Sequence, residues 1–358
     1  MNNLNEKSNR MISIVGTVGV PACYGGFETL VEYLVEETDS QIDKNITVYC
    51  SSKSYPQKLA TYKGAKLVYM PIKANGPQSV IYDIASLIHC AFHRTDAVLI
   101  LGVSGCIFLP FFRLLSKAKV VTNIDGLEWR RDKWGKSARR FLKFSEKVAV
   151  KYSDVIISDN QAIADYVENE YGVQSSVIAY GGDHAVIEGL TFTDTNFALA
   201  LCRIEPENNI EMILQAFSQT DKPLKFIGNW DGSEFGRALK SQYSAFANID
   251  IIDPIYDIEK LAELRSSCSF YVHGHSAGGT NPSLVEMMYF GKSILCFDCN
   301  YNRASTEEQA AFFTDTAALV ALIKAADSLS NGQQMVEIAQ RRYTWAIVRQ
   351  KYFELMAK

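Results

Sequence analysis

The residues best placed to do chemistry sit directly after short apolar runs. Ala198–Leu201 leads into Cys202-Arg203-Ile204-Glu205-Pro206-Glu207-Asn208-Asn209. An arginine at such a point can meet a diphosphate with two parallel N–H donors. Further on, HGHSAGGTNPSLVEMM places His273, His275, Gly278, Gly279, Thr280 and Asn281 just before a helix expected from about Ser283. Backbone N–H groups there suit an anion, and Glu286, one turn in, could accept from a pair of sugar hydroxyls. Near the start, VGTVGVPACYGGFETL supplies Gly16, Gly19, Gly25 and Gly26 before a helix near Phe27. The spacing is not G-x-G-x-x-G, which disfavours a dinucleotide turn and leaves Gly19, Gly25 and Gly26 as candidate sugar or phosphate contacts.

Two carboxylates are candidate general bases. Asp125 follows the run Val120–Ile124, and Asp159 follows Val155–Ser158. At the carboxyl end of a parallel strand either one faces the ligand side of the sheet and could take a proton from an acceptor hydroxyl. Tyr180-Gly181-Gly182 follows the next run, and all three sites are expected to converge on one mouth of the first sheet. After Asp125 come Glu128 and a basic, aromatic tract from Trp129 to Lys151. It holds Arg130, Arg131, Arg139 and Arg140 among nine Lys or Arg residues, with Trp129 and Trp134 at its start. A solvated helix, an acceptor-phosphate contact and a membrane-surface contact all fit this pattern.

These positions require a particular scaffold. Strand-like runs such as Met11–Val15, Ile46–Cys50 and Val155–Ser158 alternate with helical stretches such as Ser137–Tyr152 and Ala162–Tyr171. The alternation restarts at Ala198–Leu201 and continues to Ser293–Phe297. Repeated βα units predict parallel, doubly wound sheets, and the restart predicts two of them. The expected division is an N-terminal domain over 1–185, a C-terminal domain over 186–340, and a last helix, 341–358, crossing back to the first. Ala97–Leu115 is apolar enough to invite a transmembrane reading, but Gly102, Ser104, Gly105, Pro110 and Arg113 interrupt it. It is read as a buried strand, a turn and a core helix.

Composition narrows the class further. A chain of 358 residues with 47% hydrophobic residues can bury two cores, and a net charge of -4 argues against general nucleic-acid binding. Eight scattered cysteines with apolar neighbours read as buried thiols of a reducing compartment. The one CxxC, Cys296 to Cys299, lies on an apolar run and reads as strand. No metal-binding cluster stands out. No secretory signal is visible, so the expected location is cytoplasmic, with a peripheral membrane association open through the basic tract.

Together, VGTVGVPACYGGFETLVEYL, IDGLEWRRDKW, LCRIEPENNIEMILQAF, GGTNPSLVEMMYFGK and YTWAIVRQKYFEL resemble glycosyltransferase family 4, and especially its bacterial rhamnosyltransferase-like branch. The resemblance spans nearly the whole chain. It implies a GT-B fold, two Rossmann-like domains facing across a cleft, the first binding acceptor and the second the nucleotide-sugar. It implies that Arg203 contacts the diphosphate, Glu286 the ribose and the backbone of Gly279–Ser283 a phosphate. Ile255 and Tyr256 would read the base. Tyr180, His275, Thr280 and Asn281 join the donor set. The activity implied is transfer of a sugar, rhamnose from dTDP-rhamnose or another sugar from a UDP donor. The acceptor is a lipid-linked or oligosaccharide one in bacterial surface polysaccharide synthesis. No cofactor beyond that donor is implied. Two departures stand out: Gly278 where the family often has the first of two glutamates, and Asn208 where a lysine usually follows the diphosphate arginine. A nucleotide-sugar 2-epimerase and a non-catalytic sugar-nucleotide-binding subunit remain open as alternatives on the same fold; a dehydrogenase is the least favoured.

Overall fold

A computed structural model describes residues 10–23, 25–36, 45–130, 134–189, 193 and 195–357. The chain divides into two compact units. The first comprises Met1–Asp159, Ile163–Ile178 and Val348–Lys358; the second comprises Asn160–Ala162 and Ala179–Ile347.

The first unit runs β1 (Met11–Val15), α1 (Gly26–Leu34), β2 (Asn45–Ser51), β3 (Thr61–Tyr62), β4 (Ala65–Met70), α2 (Ser79–Ala91), β5 (Ala97–Leu101), α3 (Leu109–Leu115), β6 (Lys119–Asn123), α4 (Lys136–Tyr152), β7 (Val155–Ser158), α5 (Gln161–Tyr171) and β8 (Ser176–Val177). Its sheet has the order β3-β4-β2-β1-β5-β6-β7-β8, parallel except for the β3–β4 pair. Strand β5 is buried at every residue, as a central parallel strand covered on both faces must be. The crossovers carrying α2, α3, α4 and α5 all step the same way across the sheet. Right-handed connection therefore puts these four helices in one layer, and α1, whose crossover steps the other way, on the opposite face.

The second unit runs β9 (Ala198–Leu201), α6 (Ile210–Phe217), β10 (Leu224–Ile227), α7 (Glu234–Tyr243), β11 (Ile249–Ile252), α8 (Ile258–Ser267), β12 (Phe270–His273), α9 (Pro282–Met288), β13 (Ser293–Phe297), α10 (Asn300–Ser305), β14 (Ala311–Phe313), α11 (Thr316–Ala325), α12 (Gly332–Arg342) and the start of α13 (Trp345–Ala357). The sheet order is β11-β10-β9-β12-β13-β14, all parallel. Side chains of β12 alternate between two cores. Phe270 and Val272 join Phe217, Phe226 and Trp230, whereas Tyr271 joins Met287, Met288 and Tyr343. In both sheets the strand order reverses beside the first strand of the unit, between β1 and β5 and between β9 and β12. Ligands of such sheets bind beyond the carboxyl ends of the strands at that reversal.

The final turns of α13 belong to the first unit. Asn123 Nδ2 donates to Tyr352 Oη at 2.7 Å, Arg349 Nε to the Tyr33 carbonyl at 2.8 Å, and Lys119 Nζ to the Leu355 carbonyl at 2.6 Å. Two expectations need correction. Helix α3 is not a wholly internal core helix, because Phe111 and Leu114 are 61% and 84% exposed. Nor do all three strand-end sites gather on the first sheet: Asp125 and Asp159 belong to the first unit, whereas Tyr180–Gly182 cluster with the second, as does Asn160. Asn160 Nδ2 donates to Ser305 Oγ at 3.0 Å and to the Tyr301 carbonyl at 3.2 Å, which commits it to α10. Among the described residues no helix is long and apolar enough to cross a membrane.

Candidate functional site

In the second unit the loops after β9 and β12, at the sheet's reversal point, are tied to each other by side chains. Asn208 is buried. Its Nδ2 donates to the Arg203 carbonyl at 2.7 Å, and its Oδ1 lies 2.7 Å from His275 Nδ1. Because the amide nitrogen is used on a carbonyl, the oxygen must accept, so His275 carries a proton on Nδ1. Asn209 Nδ2 donates to the Gly274 carbonyl at 2.8 Å, and Ser276 donates through both N and Oγ to the Glu207 carbonyl. Asn208 therefore works as a splint. It fixes the backbone from which Arg203 projects. Arg203 itself is 63% exposed, with Glu205 3.8 Å away.

Gly278 has a φ of +109°, in the left-handed range that a side chain enters only at a cost. A glutamate could not replace it without rebuilding the loop. Asn281 then caps α9, its Oδ1 accepting from the Ser283 N–H at 3.0 Å. One donor of that first turn is thus already used within the protein. Thr280 is buried, and Asn160 Nδ2 lies 3.5 Å from its Oγ1.

Glu286 is held on two sides. Oε2 is paired with Arg265, itself 6% exposed, and Oε1 lies 3.3 Å from His184 Nε2. Trp345 Nε1 donates to His184 Nδ1 at 2.9 Å. An indole nitrogen only donates, so Nδ1 is the acceptor and Nε2 carries the proton that points at Glu286. Burial alone would raise the Glu286 carboxyl. The hydrogen bond from His184 and the charge on Arg265 outweigh it and hold the group below its usual range, ionised. Its side chain keeps 15% exposure, and each carboxylate oxygen retains a lone pair beyond its protein partner.

The segment carrying His184 is pressed close to α9 and α13. A Cβ on Gly181 would come within 2.5 Å of the Trp345 ring, and one on Gly182 within 2.7 Å of the Val285 carbonyl. Asp183 Oδ1 accepts from the Trp345 N–H at 2.9 Å, and the Tyr180 ring stands edge-on to Trp345 at 4.8 Å. Tyr180, expected as a donor contact, is thus part of the clamp around Trp345. The sequence reading missed His184, Arg265 and Trp345 as supports of Glu286. The only local signal was a histidine after a double glycine.

His273 ends β12 wholly buried. Tyr271 Oη lies 3.2 Å from the Leu201 carbonyl and 3.4 Å from His273 Nδ1. The phenol has one proton and gives it to the carbonyl, so His273 Nδ1 donates to it. Burial, with His275 nearby, pushes His273 down to about 3. It is a neutral side chain whose Nε2 finds no hydrogen-bond partner among the described residues. Ile255 is half-buried against the core, whereas Tyr256 is 86% exposed on the loop after β11.

In the first unit the glycine loop closes on the protein's own carboxylate. Glu28 Oε1 accepts from the Val18 N–H at 2.7 Å and from Thr17 Oγ1 at 3.0 Å, and Oε2 accepts from the Gly25 N–H at 2.9 Å. The loop's expected role as an open anion cradle is corrected to that extent. Gly19 is turned inward against Cys50 and Tyr55, Gly25 is the cap of α1, and Gly26 opens the helix, exposed. Asp125 and Asp159 are both half-buried at the ends of β6 and β7. Asp125 has a φ of +62°, and its N–H donates to Asn123 Oδ1 at 3.0 Å.

The basic tract is organised around a buried acid. Glu146 accepts from Trp129 Nε1 at 3.0 Å, Tyr166 Oη at 2.7 Å and Tyr171 Oη at 2.6 Å. Lys143 Nζ sits over the Trp129, Tyr166 and Tyr171 rings, and Arg130 covers Trp129 and Tyr166. Trp134 Nε1 donates to Glu128 Oε1 at 3.0 Å, and Arg139 Nε to the Trp134 carbonyl at 2.9 Å. Both tryptophans expected at a membrane interface are therefore engaged within the protein. Arg140 is exposed, and Arg131 lies outside the described residues. Among the described residues no group of three or more His, Cys, Asp or Glu is gathered to hold a metal ion.

A family model described as a domain of unknown function (DUF1972) matches residues 9–183. No curated protein matches by sequence. Solved structures do match. A sucrose-phosphate synthase from Thermosynechococcus elongatus is similar with a TM-score of 0.77 at 13% identity, covering 97% of this chain and 98% of that one. Anabaena HepE, solved in complex with UDP and glucose, gives 0.74 at 14% identity, covering 98% and 100%. A glycosyltransferase from Rickettsia africae gives 0.71 at 11% identity, covering 97% and 98%. The fold expectation is borne out: the chain has the GT-B fold, built from two doubly wound α/β sheets.

Proposed function

We propose that the protein is a glycosyltransferase that takes a nucleotide-sugar in its second unit and an acceptor hydroxyl in its first. The observation that carries the reading is Glu286. It is an ionised carboxylate oriented by Arg265 and His184, on the helix that follows the loop tied to the one bearing Arg203, at the sheet's reversal point. A carboxylate so held suits the two hydroxyls of a ribose. The structures similar in fold include complexes with UDP, UDP and glucose, and UDP-glucose, which favours a nucleoside diphosphate at this place.

In the reaction the bond from the anomeric carbon to the diphosphate oxygen breaks, and a bond from that carbon to the acceptor oxygen forms. The acceptor proton passes to a base, for which Asp125 is the first choice and Asp159 the second. The diphosphate leaves with both electrons of the broken bond. Arg203, exposed and on a splinted loop, would offset that charge as it develops. The GGTNPS loop and the tract after Asp125 support rhamnose from dTDP-rhamnose as the donor, and a lipid-linked or oligosaccharide acceptor of surface polysaccharide synthesis, through the family resemblance. The test is a donor screen by calorimetry with dTDP-rhamnose, UDP-glucose and NAD, followed by incubation with a lipid-diphosphate-sugar acceptor and product mass. A mass gain of one deoxyhexose or hexose, with nucleoside diphosphate released only when acceptor is present, is expected. Acceptor-independent conversion of the donor would identify an epimerase instead.

A further inference from the structure

The layer formed by α2, α3, α4 and α5 presents an outer surface unlike that of an ordinary α/β unit. Along α2 and its C-cap residue Phe92, Ile81, Ile88 and Phe92 are exposed at spacings of seven and four, with half-buried Ile84 and Ala85 between them. They form one stripe along the helix with no charged member. The neighbouring α3 exposes Phe111, Leu114 and Leu115 in the same manner, and the Phe108 ring stacks on Phe111 at 5.9 Å. Scattered exposed apolar residues are ordinary, but two adjacent stripes are a patch.

Helix α4 lies on the far side of α3 and continues the surface in another chemistry. Apart from Ser137 its exposed positions are Lys136, Arg140, Phe144, Lys147 and Lys151, at spacings of four, four, three and four. That is four cations around one aromatic ring on a single face. Parallel helices of one layer end together, and exposed Arg94 and Lys117 follow the ends of α2 and α3 as Lys151 closes α4. The next helix, α5, exposes Asp165, Glu168 and Glu170, so the positive region has a defined acidic edge.

We propose that α2, α3 and α4 form a docking face for an anionic lipid bilayer. The apolar stripes would enter the headgroup–acyl boundary while the cations of α4 meet lipid phosphates, and the acidic α5 would stay clear of the surface. Charge decides the choice of occupant. A second copy would set the same cations against themselves or against the apolar stripes, whereas an anionic bilayer offers negative charge beside hydrocarbon. The docking elements are Phe111, Leu114, Phe144, Arg140 and Lys147, not Trp129 and Trp134, which are engaged on Glu146 and Glu128.

The full-length protein is floated with vesicles of phosphatidylglycerol and phosphatidylcholine, and with phosphatidylcholine alone, at low and high salt and without any substrate. Binding to the anionic vesicles is expected, weakened by salt. Paired Phe111→Ser and Leu114→Ser, or paired Arg140→Glu and Lys147→Glu, should each lower it at least about tenfold. Phe246→Ser, at an exposed apolar position of the second unit, should leave it unchanged. Circular dichroism confirms that each variant is folded. Absent flotation, or flotation indifferent to both pairs, overturns the proposal. So does a dimer in sedimentation that Phe111→Ser with Leu114→Ser dissociates while vesicles are ignored. Because no substrate is used, failure here leaves the assignment of a transferase standing.

Discussion

Glu28 and Glu286 occupy comparable places near the starts of α1 and α9, Glu28 in the first turn and Glu286 one turn in, each after a glycine-rich loop at the reversal point of its sheet. Their surroundings are opposite. Glu28 is 4% exposed, and its partners are the Val18 and Gly25 N–H groups and the Thr17 hydroxyl of its own loop. It fills the place of an external anion and locks the loop. Glu286 is held instead by side chains brought from α8 and from the segment before β9. Those partners fix its charge and direction without consuming every lone pair. In the proposed function Glu286 keeps lone pairs for a ligand, whereas Glu28 spends its own on the loop that carries it.

The largest effect should come from breaking the first of these. Glu28→Ala leaves a hydroxyl and two N–H groups without their acceptor, and should cost about 4 kcal/mol of unfolding free energy in urea. A loss under about 1 kcal/mol would mean that the loop finds other partners and that the contrast is false. Next, Arg203→Ala removes an exposed side chain, so stability should hold. Turnover should fall with a transition-state loss of about 3 kcal/mol. Turnover within about twofold of the parent would remove Arg203 from the diphosphate.

A third buried carboxylate extends the series. Asp83 on α2 has the Ser104 hydroxyl and the Gly105 N–H as partners, and burial, the larger influence, pushes it up to about 7. A carboxyl raised in the folded state favours folding most below its unfolded value, and that contribution is lost as pH climbs towards about 7. The protein should therefore lose about 2 kcal/mol between about pH 5 and about pH 8 from this group, and Asp83→Asn should flatten that slope. Equal slopes in urea titrations of parent and variant would show that Asp83 does not titrate there.

The smallest expected effect sharpens the second carboxylate. Glu286→Gln alone would leave Arg265 buried without a counter-charge, mixing a folding defect with a binding one. Paired with Arg265→Met the change should keep the fold, and donor affinity by calorimetry should drop by about 1.5 kcal/mol. Unchanged affinity in that pair would return Glu286 to a structural role like that of Glu28.

Much of the scaffold is legible in the sequence. Met11–Val15, Val155–Ser158, Ala198–Leu201 and Ser293–Phe297 stand where the alternation of short apolar runs and helical stretches placed them. A buried parallel strand needs a continuous apolar run, and a strand end needs a turn, so both are written locally. Helix α2 was not legible as an element, and α3 was misjudged as internal. Both are apolar on the outside as well as the inside, so periodicity carries no sign of which face is covered.

By itself the sequence determined the repeating βα units, and with them the strand ends that carry Arg203, Asp125 and the loop before Glu286. Only the tertiary structure decided what each charged group faces. Glu28 turns back on its loop, Trp129 and Lys143 close over Glu146, and Asn208 joins two strand loops. His184 meets Glu286 from about a hundred residues away. Strand and helix formation depend on neighbours along the chain, whereas the partner of a buried charge is set by which elements the sheet order places side by side. A carboxylate reads the same in sequence whether a backbone amide, a guanidinium or a substrate hydroxyl will satisfy it.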